Sequence, residues 1–160
     1  MKNKKFNLKV FIICLLVVFV LLGGIGTLFT SNNTNTAWYS SIKPSITPAN
    51  WVFQIAWNLL FLLISFSLYF AWVNSKNKEE RKKVLLVFGI NFLLNIFWSI
   101  LFFGLKQPQI AFIEVIFFWF SILAMILVTR KITKKSSCLL VPYLVWVAFA
   151  SVINYMAAFT

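Results

Sequence analysis

Long apolar runs separated by short polar segments dominate the chain. Each run is close to the ~20 residues that a helix needs to cross the hydrocarbon core of a bilayer at about 1.5 Å rise per residue. Five runs meet this length, at about residues 9–30, 50–73, 84–104, 109–129 and 137–158. The pattern predicts an all-α membrane protein, a bundle of five transmembrane helices that forms one domain over residues 1–160. The spans and their connections use nearly the whole chain, so we expect no soluble domain.

Composition supports a lipid environment. The chain is 61% hydrophobic, 19% aromatic and only 11% charged. That leaves too little polar surface to cover a water-soluble globule of 160 residues. We therefore expect the lipid bilayer to surround most of the molecule.

The charged residues are strongly biased toward Lys and Arg, with 15 cations, 3 acids and a net charge of +12. Thirteen of the cations fall in three clusters that flank apolar runs: Lys2, Lys4, Lys5 and Lys9; Lys76, Lys78, Arg81, Lys82 and Lys83; Arg130, Lys131, Lys134 and Lys135. Because the clusters form no continuous face with the aromatic residues, as a nucleic-acid groove would require, we expect no nucleic-acid partner.

The clusters also predict the orientation in a bacterial cell membrane. We expect segments 74–83 and 130–136 to be solvated charged turns on the same side as the amino terminus. Only Lys43 and Lys106 then lie on the other side. Because basic residues are retained on the cytoplasmic side, the amino terminus is predicted to be cytoplasmic and the carboxyl terminus outside.

The longest connection, residues 30–50, carries Pro44 and Pro48. Each proline restricts the residue before it to extended geometry, which favours a stiff, lid-like loop. An interfacial loop is the alternative, in which Trp38 and Tyr39 join the aromatic belt at the membrane surface.

The residue types for most ground-state catalysis are missing. The chain has no histidine, and its three acids are Glu79, Glu80 and Glu114. This excludes His-based catalysis, His-ligated haem and His/Cys zinc sites, and we expect neither a metal site nor a required cofactor. Glu114 is the only charge inside an apolar run, where it is either neutral or paired with Lys106.

Polar side chains inside spans are costly unless they face protein, water or a ligand. On the third span, one helical face carries Asn91, Asn95, Trp98 and Phe102. The fifth span repeats the spacing with Tyr143, Trp146, Ala150 and Asn154, and the second span begins with Trp57 and Asn58. Because successive spans alternate in direction, we expect Trp57, Trp98, Asn154 and also Glu114 of the fourth span at one level in the outer half of the bundle, under the 30–50 loop. We expect a pocket there, although interhelical hydrogen bonds and packing explain each residue singly.

The first span has a smooth face made by Gly23, Gly24, Gly26 and Thr27. Small residues let another helix approach closely. The neighbour is a helix of the same bundle or of a second protomer, and both alternatives stay open.

Several motifs resemble the TspO family, the tryptophan-rich sensory proteins of bacteria and the translocator protein of mitochondria. They are Trp38-Tyr39; Lys43-Pro44-Ser45 with Pro48 and Trp57; Asn95-x-x-Trp98-x-x-x-Phe102-Phe103-Gly104-x-Lys106-Gln107; and Pro142-Tyr143-Leu144-x-Trp146-x-x-Phe149-Ala150-x-x-x-Asn154-Tyr155. The resemblance covers about Gly23 to Tyr155.

The resemblance implies a five-span fold whose pocket, capped by the first loop, binds porphyrins such as protoporphyrin IX and haem, and also cholesterol and benzodiazepine-site ligands. It implies a lining that includes Trp57, Asn95, Trp98, Ala150 and Ile153, with Trp146 nearby and Pro44 in the lid. Phe102 and Asn154, on the faces described above, complete the predicted ligand-binding set. Homodimers are usual in the family.

Some bacterial relatives degrade protoporphyrin IX in light, which is attributed to tryptophans at the positions of Trp57 and Trp146. These two residues are therefore the candidates for photochemistry, which needs no nucleophile, metal or general base.

The chain departs from the family pattern in four places. The loop motif W-x-P-P reads Ile46-Thr47-Pro48-Ala49, the Pro-Pro of the third span reads Ser99-Ile100, Ile110 replaces a Trp, and no basic residue follows Tyr155 to complete the cholesterol motif. These changes affect the expected ligand affinity more than the fold.

The leading hypothesis is a membrane receptor or sensor for a porphyrin, with stacking on Trp57, Trp98 and Trp146 and with polar ends met by Asn95 and Asn154. A transporter of tetrapyrroles or sterol-like ligands is the alternative, although the chain has no evident inverted repeat. A structural membrane scaffold, with no saturable ligand, is the third.

Overall fold

The computed structural model describes residues 6–31 and 33–160, and in that part of the chain it contains helices and no strands. Lys2, Lys4 and Lys5 of the first basic cluster lie outside the described residues. Five of the described helices are long and apolar enough to span a membrane: α1 (Leu8–Thr30), α3 (Asn50–Asn74), α4 (Lys78–Gly104), α5 (Pro108–Ile132) and α6 (Lys134–Phe159). A short helix, α2 (Ala37–Ile42), lies in the connection between α1 and α3. The predicted all-α, five-span architecture is confirmed.

The charged turns are much shorter than predicted. α4 begins at Lys78, inside the expected 74–83 turn, because the side chain of Asn77 accepts a hydrogen bond from the Glu80 N–H at 2.8 Å and caps the helix. Glu79 and Glu80 in its first turn also stabilise the helix, because negative charge is favourable at the positive, amino-terminal end of the helix dipole. The apolar run therefore locates the membrane span, but the helix begins several residues before the run.

The second charged turn, predicted over 130–136, is reduced to a break at Thr133. α5 continues to Ile132 and α6 begins at Lys134, while Thr133 has extended backbone geometry. The helices extend into the basic segment on both sides of Thr133, because Lys and Arg are good helix formers.

The core lies where α5 packs between α4 and α6, and α1 packs on both α3 and α4. Completely buried side chains include Ile64 of α3, Val84 of α4, Ile122 of α5 and Tyr143 of α6. Large apolar side chains also cover the outside of every span, as at Leu93, which is 69% exposed. This outward apolar surface is what a lipid solvent requires.

Two spans contain π-helical segments, at Phe19–Ile25 in α1 and Ile100–Gly104 in α4. The second ends with a hydrogen bond from the Leu105 N–H to the Ile100 carbonyl at 2.7 Å. Both segments lie along the contact between α1 and α4. Such segments widen a helix locally and are frequent at functional sites.

Gly23 and Gly26 of α1 face other spans of the bundle, whereas Gly24 is exposed. A Cβ atom at Gly23 would lie 3.6 Å from the Phe61 ring, and one at Gly26 would lie 3.9 Å from Ser99 Oγ. These two glycines therefore bring α1 close to α3 and α4 of the same chain. At these positions the neighbouring helix belongs to the same bundle and not to a second protomer. The homodimer stays a prediction.

Candidate ligand-binding cavity

A cavity of about 490 Å³ lies between the spans at the end of the bundle that carries α2. This volume falls in the range of about 300–1,000 Å³ that is usual for small-molecule sites. Among the described residues that line it, nine are aromatic: Phe19, Tyr39, Phe53, Trp57, Phe61, Trp98, Phe102, Phe103 and Phe118. The polar lining residues are uncharged: Thr27, Thr30, Ser31, Thr34, Asn50, Gln54, Asn58, Asn95, Ser99 and Asn154.

The structure brings most of the predicted ligand-binding residues together at this cavity. The lining includes Trp57, Asn95, Trp98, Phe102, Ala150, Ile153 and Asn154. These side chains come from α3, α4 and α6 and lie in one half of the bundle, as expected, whereas α5 contributes Val115 and Phe118 to the lining and not the expected Glu114. That they bind a ligand stays a prediction.

Two predicted residues, Pro44 and Trp146, are not among the lining residues. The Trp146 ring packs edge-on against Phe53, with 5.6 Å between ring centroids, and Phe53 lines the cavity. Trp146 is thus one ring removed from the cavity, and it borders a shallow groove of about 570 Å³ with Val145 and Phe149. Trp146 and Ala150 are four residues apart on one face of α6. Ala150 reaches the cavity, whereas Phe53 of α3 lies between Trp146 and the cavity.

Phe53 and Phe61 flank Trp57 on the same face of α3 and line the cavity with it, although neither was predicted as a cavity residue. Their spacing of four residues on either side of Trp57 is the sequence signal that indicates them. Tyr39, predicted to lie at the membrane surface or in a lid, lines the cavity directly.

The loop helix α2 holds Tyr39 against the bundle. The Thr36 side chain caps α2 by accepting a hydrogen bond from the Tyr39 N–H at 3.3 Å. The Tyr39 ring, only 8% exposed, packs on Phe103 with 5.6 Å between centroids. Burial raises the pKa of Tyr39, so its hydroxyl stays protonated at physiological pH.

Asn154 lines the cavity and also joins three spans of the bundle. Its Oδ1 accepts a hydrogen bond from Trp98 Nε1 at 2.9 Å, and its Nδ2 donates to the Pro108 carbonyl at 2.9 Å. These bonds use one lone pair of Oδ1 and one N–H of Nδ2, and Asn154 also lines the cavity, so its contact with a polar end of the ligand stays a prediction. The bond from Trp98 holds the indole in place at the cavity wall.

Asn95 belongs to a chain of buried polar groups. Its Nδ2 donates to the Tyr143 hydroxyl at 3.4 Å, and that hydroxyl donates to Asn91 Oδ1 at 3.2 Å. Asn91 Nδ2 in turn donates to Ser121 Oγ at 2.8 Å. The Asn95 Oδ1 atom has no hydrogen bond to another described residue. Since Asn95 lines the cavity, it offers a hydrogen-bond acceptor to a ligand.

Glu114 is buried, at 6% exposed, and does not line the cavity. Neither carboxyl oxygen has a hydrogen-bond partner among the described residues. The alternative that Glu114 pairs with Lys106 is therefore wrong. The Lys106 ammonium lies instead over the Trp38 ring, 5.7 Å from its centroid.

Five apolar spans around an aromatic cavity define an integral membrane protein with an internal cavity. Residues 13–159 match the TspO/MBR family over nearly the whole chain. The chain is 39% identical to the tryptophan-rich protein TspO of Archaeoglobus fulgidus, over 84% of this chain and 86% of that protein. It is 32% identical to the protein of the same name from Chlorobaculum tepidum (89% and 87% covered) and 31% identical to the translocator protein of Ovis aries (74% and 71% covered). The chain belongs to the TspO/MBR family.

Proposed function

We propose that the protein is a membrane receptor that binds a flat, largely apolar ligand of the porphyrin class in the α2-covered cavity. The observation that carries the proposal is the aromatic lining, in which Trp57 and Trp98 stand on neighbouring spans. Aromatic rings prefer offset or edge-to-face contacts with other rings, so a planar π-system is the ligand shape that such a wall favours. The free acceptor of Asn95 supplies one polar contact.

The cavity position of Ala150 gives a direct test. A phenylalanine at Ala150 would fill part of the cavity, whereas a phenylalanine at Val152, which is 52% exposed on the same helix, would face lipid. We expect Ala150→Phe to weaken protoporphyrin IX binding about tenfold or more, because ligand and side chain compete for the same volume. Val152→Phe should leave it unchanged.

The measurement is quenching of tryptophan fluorescence by protoporphyrin IX in purified, detergent-solubilised protein. Saturable binding that is equal in both variants would place the ligand elsewhere. No saturable binding in the parent protein would favour a structural scaffold. Net uptake of bound ligand into sealed vesicles would indicate a transporter instead of a receptor.

We also propose light-dependent loss of bound protoporphyrin IX, with Trp57 as the main participating indole. Trp57 lines the cavity, whereas Phe53 stands between the cavity and Trp146. Trp57→Phe keeps most of the apolar contact and removes an easily oxidised indole, so it should slow the photochemical loss several-fold. Trp146→Phe should have a smaller effect. Loss of absorbance under illumination measures both rates, and equal rates in both variants and the parent would contradict the role of these residues.

A further inference from the structure

We propose that Lys43 and Lys106 form a cationic pair at the mouth of the cavity that binds the carboxylates of a ligand whose apolar body lies inside. This inference rests on the proposed function and narrows it: the ligand is an amphiphile that carries its anionic groups along one edge. The pair is an addition to the cavity, because neither lysine is among its lining residues.

The distribution of charge isolates these two lysines. The cavity end of the bundle holds the α1–α3 and α4–α5 connections, which contain Lys43 and Lys106 respectively. The other described Lys and Arg side chains, and also Glu79 and Glu80, lie at the opposite ends of the spans. Within residues 6–31 and 33–160, therefore, Lys43 and Lys106 are the charged side chains nearest the α2 end, and neither forms an ion pair there.

Both ammonium groups lie over aromatic rings of α2. Lys43 Nζ is 5.8 Å from the centroid of Tyr39, and Lys106 Nζ is 5.7 Å from the centroid of Trp38. These distances fall within the ~6 Å of a cation–π contact. Such contacts are weak at exposed sites, so they orient the lysine side chains without using the N–H donors of the ammonium groups. Each ammonium keeps its donors for an anion.

The two rings connect the lysines to the cavity. Tyr39 itself lines it. Trp38 packs edge-on against Phe102, a lining residue, with 6.0 Å between centroids. A ligand that stacks inside the cavity and extends past α2 would therefore meet both ammonium groups. Because the lining carries no charged side chain among the described residues, carboxylates are best placed at this edge, where water and the lysines solvate them.

The backbone of Lys106 is an independent observation. Its φ is +54°, the only positive value of a non-glycine residue in the described part of the chain. This left-handed position follows the C-cap residue of α4, Leu105, and is one that glycine usually fills. A lysine there keeps a conformational cost that glycine would remove, and the gain is an ammonium placed over Trp38. Strain of this kind at a ligand site is a reason to infer a function.

The test compares protoporphyrin IX with its dimethyl ester, which keeps the ring and lacks both carboxylates. The protein is the full chain in nanodiscs of zwitterionic lipid, and the variants are Lys43→Gln with Lys106→Gln, and Lys106→Gly alone. Lys134→Gln with Lys135→Gln, at the opposite end, is the matched control. We expect the first variant to weaken binding of the acid about three- to tenfold, as for two exposed ion pairs, and to leave the ester unchanged. Lys106→Gly should weaken the acid while the protein melts no lower than the parent.

The dependence of binding on salt and on lipid composition distinguishes carboxylates of a ligand from lipid phosphates. The acid should bind more weakly as salt is raised from low to physiological concentration, and the double Lys→Gln variant should lose this dependence. If lipid phosphates are the natural partner instead, anionic nanodiscs will compete with the acid, and the lysine variants will change lipid retention and not the acid-to-ester ratio. That result, or equal weakening of acid and ester, would overturn the proposal while the porphyrin cavity stands. Absence of binding by both porphyrins to the parent would overturn the proposed function and this inference together.

Discussion

Asn154 shows how much one polar side chain inside a span decides. Its amide joins α6 to the Trp98 indole of α4 and to the first carbonyl of α5 at Pro108. In lipid no water replaces these partners, so the bonds are retained. The residue therefore determines both the position of a cavity wall and the spacing of three spans.

Replacement of Asn154 by alanine should destabilise the bundle by about 0.6–2 kcal/mol, because it removes two interhelical hydrogen bonds and leaves their partners unpaired. The control is Asn58→Ala, since Asn58 Nδ2 bonds only to the Gln54 carbonyl of its own helix. Thermal unfolding in one detergent measures the difference. Equal melting temperatures for the two variants would contradict the bridging role.

At the scale of the element, the glycines of α4 have different surroundings. A Cβ atom at Gly104 would lie 3.2 Å from Phe29 Cδ1 of α1, whereas at Gly89 nothing lies within 4 Å. Gly104 ends the π-helical segment, and the close approach of α1 requires the absence of a side chain there. Gly89 has no such requirement in the monomer.

The two positions should therefore respond oppositely to alanine. Gly89→Ala should stabilise the protein by about 0.5–1 kcal/mol, because alanine has the higher helix propensity. Gly104→Ala should lose this gain or destabilise the protein, because Phe29 must move. Unfolding curves of both variants give the comparison, and stabilisation of similar size at both sites would show that the α1–α4 contact tolerates a side chain.

At the scale of the whole molecule, orientation follows from the two ends of the bundle. The connections at Ser75–Asn77 and Thr133 lie at the basic end, and α2 lies at the other. The positive-inside rule predicts that the basic end is cytoplasmic, so the cavity should open on the outer side of the membrane.

Reporter fusions check this orientation. We expect reporters at Asn77 and Lys134 to be cytoplasmic and reporters at Thr34 and Thr160 to be outside. The expectation rests on the count of thirteen basic residues against two. A cytoplasmic Thr160 would reverse the arrangement and would place the Lys43 and Lys106 pair in the cytoplasm.

The sequence by itself determined the number and order of the spans, since the length and apolarity of a segment are local properties that decide whether its helix can cross a bilayer. It also indicated seven residues of the cavity lining, three of them because the period of a helix places Asn95, Trp98 and Phe102 on one face.

Only the tertiary structure decided what each of these side chains meets. Phe53 separates Trp146 from the cavity, and the Trp98 indole donates a hydrogen bond to the Asn154 amide. Glu114 has no hydrogen-bond partner among the described residues. The π-helical segments and the fold of α2 likewise depend on contacts between α1, α2 and α4. The reason is physical: a helical period fixes the direction of a side chain from its own axis, while its partner comes from a helix distant in the chain.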